Sequence, residues 1–105
     1  MKIRLNTAKL LTLFSFGGAL LASSCGPVAS LSYMSKANVS IELAKSAGAD
    51  TLAIYEYTTA VEYYQKAKEE NGYSDFVAAE KYAKIAHEQA MVARERAEAL
   101  STIPN

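Results

Sequence analysis

Asp75 to Leu100 reads DFVAAEKYAKIAHEQAMVARERAEAL, and this stretch decides the fold. Phe76, Ala79, Ala83, Ala86, Ala90, Ala93, Ala97 and Leu100 follow one another at steps of three and four, the period of a single helical face. Alanine at nearly every seam position lets a neighbouring backbone approach to the usual interaxial distance of about 8 to 10 Å or closer. A second stripe, Ala78, Tyr82, Ile85 and Val92, lies about 100° round the same helix. One neighbour cannot cover both stripes, so the second needs either another helix of the chain or another protein. The remaining face carries Glu80, Lys84, Glu88, Glu95 and Glu98 and is expected to be solvated, with Glu80 and Lys84 an i,i+4 pair in the favourable order.

Working back from this helix, Asn71-Gly72 is expected to supply the left-handed residue that ends the preceding helix, and Ser74-Asp75 to cap the next. From about Thr51 to Glu70, Ala53, Tyr57, Ala60, Tyr64 and Ala67 form a heptad seam that alternates small with large. Tyr57 and Tyr64 can then lie in the alanine groove of the last helix. A turn of a few residues makes the two helices antiparallel neighbours. Before them, Ala37, Ile41 and Ala44 mark one face of a short helix over Lys36 to Ala47, with Gly48 as its stop and Asp50 as the next N-cap. The expected fold is all-α: an antiparallel helical hairpin with a short additional N-terminal helix, a small three-helix bundle with tetratricopeptide-like packing, spanning residues 36–100. Residues 101–105 are read as a disordered tail.

The N-terminal quarter has a different character. Lys2, Arg4 and Lys9 precede an apolar run from Leu10 to Leu21, the layout of a secretory signal peptide. As a helix that run spans about 18 Å, short of the ~30 Å hydrocarbon core, so a permanent span is not expected. Ala22-Ser23-Ser24 satisfies the small-residue rule before a cut, placing cleavage between Ser24 and Cys25. The same residues resemble the lipobox of bacterial lipoproteins, with Ala22 in place of the commoner leucine. Cys25 is the chain's single cysteine. An exported thiol without a partner is a liability, and a thioether-linked diacylglycerol consumes it. With two or three acyl chains such an anchor is stable. Gly26 is not the aspartate associated with inner-membrane retention, so the expected location is the outer membrane, facing the periplasm. Residues 25–35 (CGPVASLSYMS), broken by Pro27, are read as the lipidated cysteine and a tether that holds the domain off the membrane surface.

The precursor has 11 basic and 11 acidic residues. Removal of Lys2, Arg4 and Lys9 with the signal leaves the mature part acidic. That disfavours nucleic acid, which needs a basic patch, and leaves membrane attachment to the lipid.

Ala44 to Ala86, with AKSAG, YEYTTAVEYYQKAKEE and GYSDFVAAEKYAKIA, resembles a family of small bacterial envelope lipoproteins that carry a helical domain of unknown function. In some members that domain precedes an OmpA-like peptidoglycan-binding domain, which these 105 residues do not contain. The resemblance implies a location and a fold but no activity. Many relatives place a proline where this chain has Ile54, so the second helix is expected to begin earlier here or to run on from the first. Asn105 is not the terminal lysine by which small murein lipoproteins attach to peptidoglycan, and that route is not expected.

Candidate chemistry is sparse. His87 is the one histidine and has no further ligands at metal-binding spacing, so it is read as a partly exposed helical residue. Glu69, Glu70 and Asp75 are explained by helix-end charge, and no nucleophile motif or phosphate loop occurs. No enzyme activity and no cofactor are expected. The surplus is aromatic: seven tyrosines. Tyr63 falls on a flank and Tyr55 about 160° from the seam, where they either pack against the short first helix or serve as anchors for a partner. The expected role is a membrane-anchored, non-catalytic interaction or structural module. It would self-associate or dock to an envelope protein through Tyr55, Tyr63, Ile85 and Val92. The alternative is a lipoprotein that holds peptidoglycan non-covalently through exposed tyrosines.

Overall fold

A computed structural model of the chain describes residues 25–104; the signal-peptide reading of residues 1–24, Ser24 included, lies outside them. The described residues form four helices and no strand: α1 (Cys25–Ser46), α2 (Ala49–Leu52), α3 (Ile54–Gly72) and α4 (Phe76–Ser101). This is the expected all-α bundle. α4 is its hub, packing along both α1 and α3, which touch each other less.

The register follows from three cross-links. Ser30 Oγ in α1 donates to Asn71 Oδ1 in α3 at 3.1 Å, Ser40 Oγ in α1 lies 2.6 Å from His87 Nδ1 in α4, and Ala44 clusters with Ala93 and Ala97. Residue numbers rise together along α1 and α4 and oppose each other along α1 and α3. So α1 and α4 are parallel, with α3 antiparallel to both.

The core is made of alanine. Ala37, Ala44, Ala49, Ala60, Ala67 and the α4 series Ala79, Ala83, Ala86, Ala90, Ala93 and Ala97 are fully buried, and Ile41 at 7% exposure is the one large aliphatic side chain among the buried residues. Tyr57 packs on the Ala44/Ala93/Ala97 cluster, and Tyr57, Val61 and Tyr64 on Ile41/Ala60/Ala90, so the large-against-small arrangement read from the heptad seam is present. Each buried methyl contributes about 0.8 kcal/mol, well below a buried leucine. Close helix approach replaces bulk as the organising feature.

Three expectations about boundaries are corrected. Residues 25–35 are not a tether: α1 starts at Cys25, Ser30 is fully buried, and Tyr33 and Met34 are half-buried. Pro27 lies within α1 and does not break it. The first helix is therefore 22 residues long and not short.

Second, α3 begins at Ile54 and neither starts earlier nor runs on from the first helix. Ala53 (φ −137°, ψ 55°) breaks the path between α2 and α3, although its N–H donates to Ala49 O and its carbonyl accepts from Tyr57 N. Gly48 (φ 84°), and not Asp50, is the N-cap of α2.

Third, Gly72 is the last residue of α3, and the left-handed position of the α3–α4 turn is Ser74 (φ 63°). Asp75 caps α4 as read from sequence, its carboxylate accepting from Ala78 N at 3.1 Å.

Candidate functional site

Of the four residues singled out for docking, Tyr63 lies at the α3–α4 contact, while Tyr55 and Ile85 line separate hollows on α3 and α4. Tyr63 of α3 and Tyr82 of α4 lie with ring centroids 5.9 Å apart and planes inclined by 37°. Lys66 Nζ stands 5.6 Å from the Tyr82 ring centre. Nearer the start of α3, Glu56 pairs with Arg96 of α4. On α3, Tyr55, Thr59 and Tyr63 follow at i,i+4; on α4, Ile85 and Val92 continue the stripe from Tyr82 to Arg96.

The structure divides these four. Tyr63 and Ile85 are half-buried, whereas Tyr55 is 76% exposed and Val92 is also exposed. Neither tyrosine packs as the plainer expectation had it: Tyr63 is covered by Tyr82 of the last helix, and Tyr55 is open. The second α4 stripe is thus covered in part by α3 at Tyr82, and its Val92 end is free.

Beside Tyr55 lies an open hollow formed by Ile54, Thr58, Thr59 and Glu62. Thr59 Oγ1 is already committed to Tyr55 O at 2.7 Å, leaving Thr58 and Glu62 as its polar lining. A second open hollow runs along the outer face of α4 past Val77, Glu80, Lys81, Lys84, Ile85 and Glu88. There Lys84 Nζ is 2.7 Å from Glu80 Oε1 and 4.6 Å from the Tyr33 ring centre. The Glu80 hydrogen bond holds the Lys84 ammonium above its ordinary pKa, with Tyr33 and Glu88 adding to it against partial desolvation.

Glu56 is the most constrained charge. Its carboxyl is held below the usual range, first by its own backbone N–H at the start of α3, then by Arg96, while partial burial opposes both. Its Oε2 is shut off from solvent with no partner of hydrogen-bond geometry.

His87 is half-buried and bonded to buried Ser40 across the α1–α4 contact. A buried hydroxyl needs a partner, and this pairing accounts for both residues as packing elements. Among the described residues no group of three or more His, Cys, Asp or Glu is arranged to hold a metal ion, and no helix is long and apolar enough to cross a membrane.

The sequence reading missed where the large apolar side chains would lie. Val28, Leu31, Leu52, Ile54, Tyr73, Val77 and Ile103, near the helix ends, are exposed, as are Val39, Leu43, Met91 and Val92 along the helices. Read from sequence alone, Val28 and Leu31 fall in the tether and Ile103 in the tail. The signal that could have found them is the alanine seam itself, since a helix with alanine inside must place its larger residues outside.

A family model described as a domain of unknown function, DUF4398, matches residues 32–102. The chain belongs to the DUF4398 family. The DUF4398 match begins within α1 and ends at Thr102, the C-cap of α4, so the family domain contains all of α2, α3 and α4 and their packing on α1. No curated protein and no solved structure matches the chain.

Proposed function

We propose that this DUF4398 chain is a lipid-anchored envelope protein whose helical domain is a non-catalytic interaction module. On this reading residues 1–24 are a signal peptide, Cys25 carries the acyl groups after cleavage behind Ser24, and the domain faces the periplasm from the outer membrane. The resemblance to envelope lipoproteins with OmpA-like relatives belongs to the same proposal. The observation that carries the interaction role is the inversion of side-chain size: alanines fill the core while Tyr55, Ile54 and Val92 stand in solvent. Exposed large apolar groups on a small domain mark a surface that another protein covers.

The test is cross-linking in intact cells, followed by isolation of the chain and mass analysis of its adducts. An adduct with a defined envelope protein, or with a second copy, that disappears in the Tyr55→Ala/Val92→Ala double variant supports the proposal. A monomer in both chains sinks it.

A second reading, non-covalent binding of peptidoglycan, is favoured by one observation: the open Tyr55 ring beside Thr58 and Glu62 offers a stacking face next to polar groups, the arrangement a sugar uses. Sedimentation with purified sacculi separates the two, because an interaction module stays in the supernatant.

A further inference from the structure

The Cys25 end of the bundle carries apolar side chains from α1, α4 and the α3–α4 turn. Val28 lies two residues before Ser30, and Tyr73 two residues after Asn71, the pair joined at 3.1 Å. Val77 lies two residues after Asp75, the cap that closes the same α3–α4 turn. All three are open to solvent, Val28 at 65%, Tyr73 at 82% and Val77 at 83%, and Leu31 is exposed one turn further along α1. From Cys25 through Ser35 the chain carries no charged residue.

We propose that this end is a foot that seats directly on a lipid bilayer, with Val28, Leu31, Tyr73 and Val77 entering the boundary between head groups and acyl chains. The proposal rests on the lipid-anchor reading of Cys25. Because α1 starts at Cys25, no spacer separates the anchor from the domain. At 1.5 Å per residue Val28 is about 4.5 Å along the helix axis from the cysteine, so acyl chains in the bilayer hold Val28 at its surface. Tyrosine is suited to that depth, with an apolar ring and a hydroxyl that stays wet. Charge at this end is mixed, with Glu69, Glu70 and Asp75 beside Lys68, and Lys36 and Lys84 at the Tyr33 ring, Lys84 being paired with Glu80; the contact is therefore carried by the apolar groups. A zwitterionic surface is therefore the partner, and binding is insensitive to salt.

The chain has no tryptophan, which makes the test direct. The full chain, carrying Tyr73→Trp or, as a control at the opposite end of α3, Tyr55→Trp, is expressed in bacteria, purified from membranes and reconstituted in phosphatidylcholine vesicles with or without bromine on the acyl chains. The foot predicts emission roughly twofold weaker in brominated vesicles for Tyr73→Trp, and unchanged emission for Tyr55→Trp. Emission from Tyr73→Trp that is unquenched although the protein floats with the vesicles overturns the foot and leaves the anchor standing. A blue shift without quenching also overturns it, and assigns the patch to a second copy. Protein that does not float at all overturns the anchor and the foot with it.

Discussion

Ser40 Oγ and His87 Nδ1 approach to 2.6 Å across the parallel contact of α1 and α4. Around them the contact is built from alanines, which slide past one another with little to choose between registers. The hydrogen bond supplies the choice. Ser40→Ala leaves His87 half-buried without its partner, and the expected loss is about 1 to 3 kcal/mol in chemical denaturation. The double variant Ser40→Ala/His87→Leu removes both polar groups and should recover part of that loss. If the double variant is as unstable as the two single losses added together, the pair is not coupled.

The alanine core tolerates growth poorly. Ala86 and Ala90 are fully buried at the centre of α4, where α1 and α3 both approach. Ala90→Leu inserts three heavy atoms into a contact without free space, and the expected cost is about 1 to 3 kcal/mol or more. Ala99→Leu, on the exposed side of the same helix, should be nearly neutral. Thermal melts of the two variants check this directly.

Two turn positions should respond in opposite directions. Gly48 at φ 84° separates α1 from α2, and a β-carbon there is strained by its backbone angle even though only Leu52 Cδ1 lies near, at 3.5 Å. Gly48→Ala should cost about 1 to 2 kcal/mol. Ser74 holds φ 63° with a side chain, so Ser74→Gly relieves that strain and should raise the melting temperature. A fall on Ser74→Gly would mean that the flexibility gained by the unfolded chain outweighs the relief.

Acid should weaken the α3–α4 contact through Glu56. A carboxyl with a lowered folded pKa contributes stability above its unfolded value, near 4.5, and loses it as pH falls through the folded value. The unfolding midpoint is expected to decline below about pH 4.5, and Glu56→Gln should flatten that decline. Lys84 runs the other way: raised above 10.5, it contributes below that pH and loses its contribution as pH rises further. Denaturation at a series of pH values with each variant measures both slopes.

The three-and-four periodicity carried most of the fold. Every α4 seam alanine read from the sequence is buried, and the Tyr57/Tyr64 pairing with small residues is present, because helix period and side-chain volume are properties of the sequence itself. What was not legible depended on partners far along the chain. Residues 25–35 look like a linker when read alone, since serine and proline are ambiguous at a helix start. Asn71, 41 positions away from Ser30, and Lys84 at the Tyr33 ring make that stretch part of the bundle. Tyr63 likewise reads as a free aromatic until Tyr82 is placed beside it. Tyr55 and Val92 stand open, from sequence alone, between a covering helix and a partner, and their exposure is settled only once α1 is seen to lie elsewhere on α4.

The parallel course of α1 and α4 has a mechanical meaning. Cys25 begins α1 at one end of the bundle, and α4, 26 residues long, delivers the C-terminal residues to the other, about 39 Å away along its axis. Tension between an anchored Cys25 and a load held at the far end draws the two helices in opposite directions along their shared seam. Such a load shears the alanine contacts together and cannot peel them one at a time. Were Cys25 anchored as proposed and a load held at the far end, that geometry would make the alanine seam resist pulling better than its buried area alone implies.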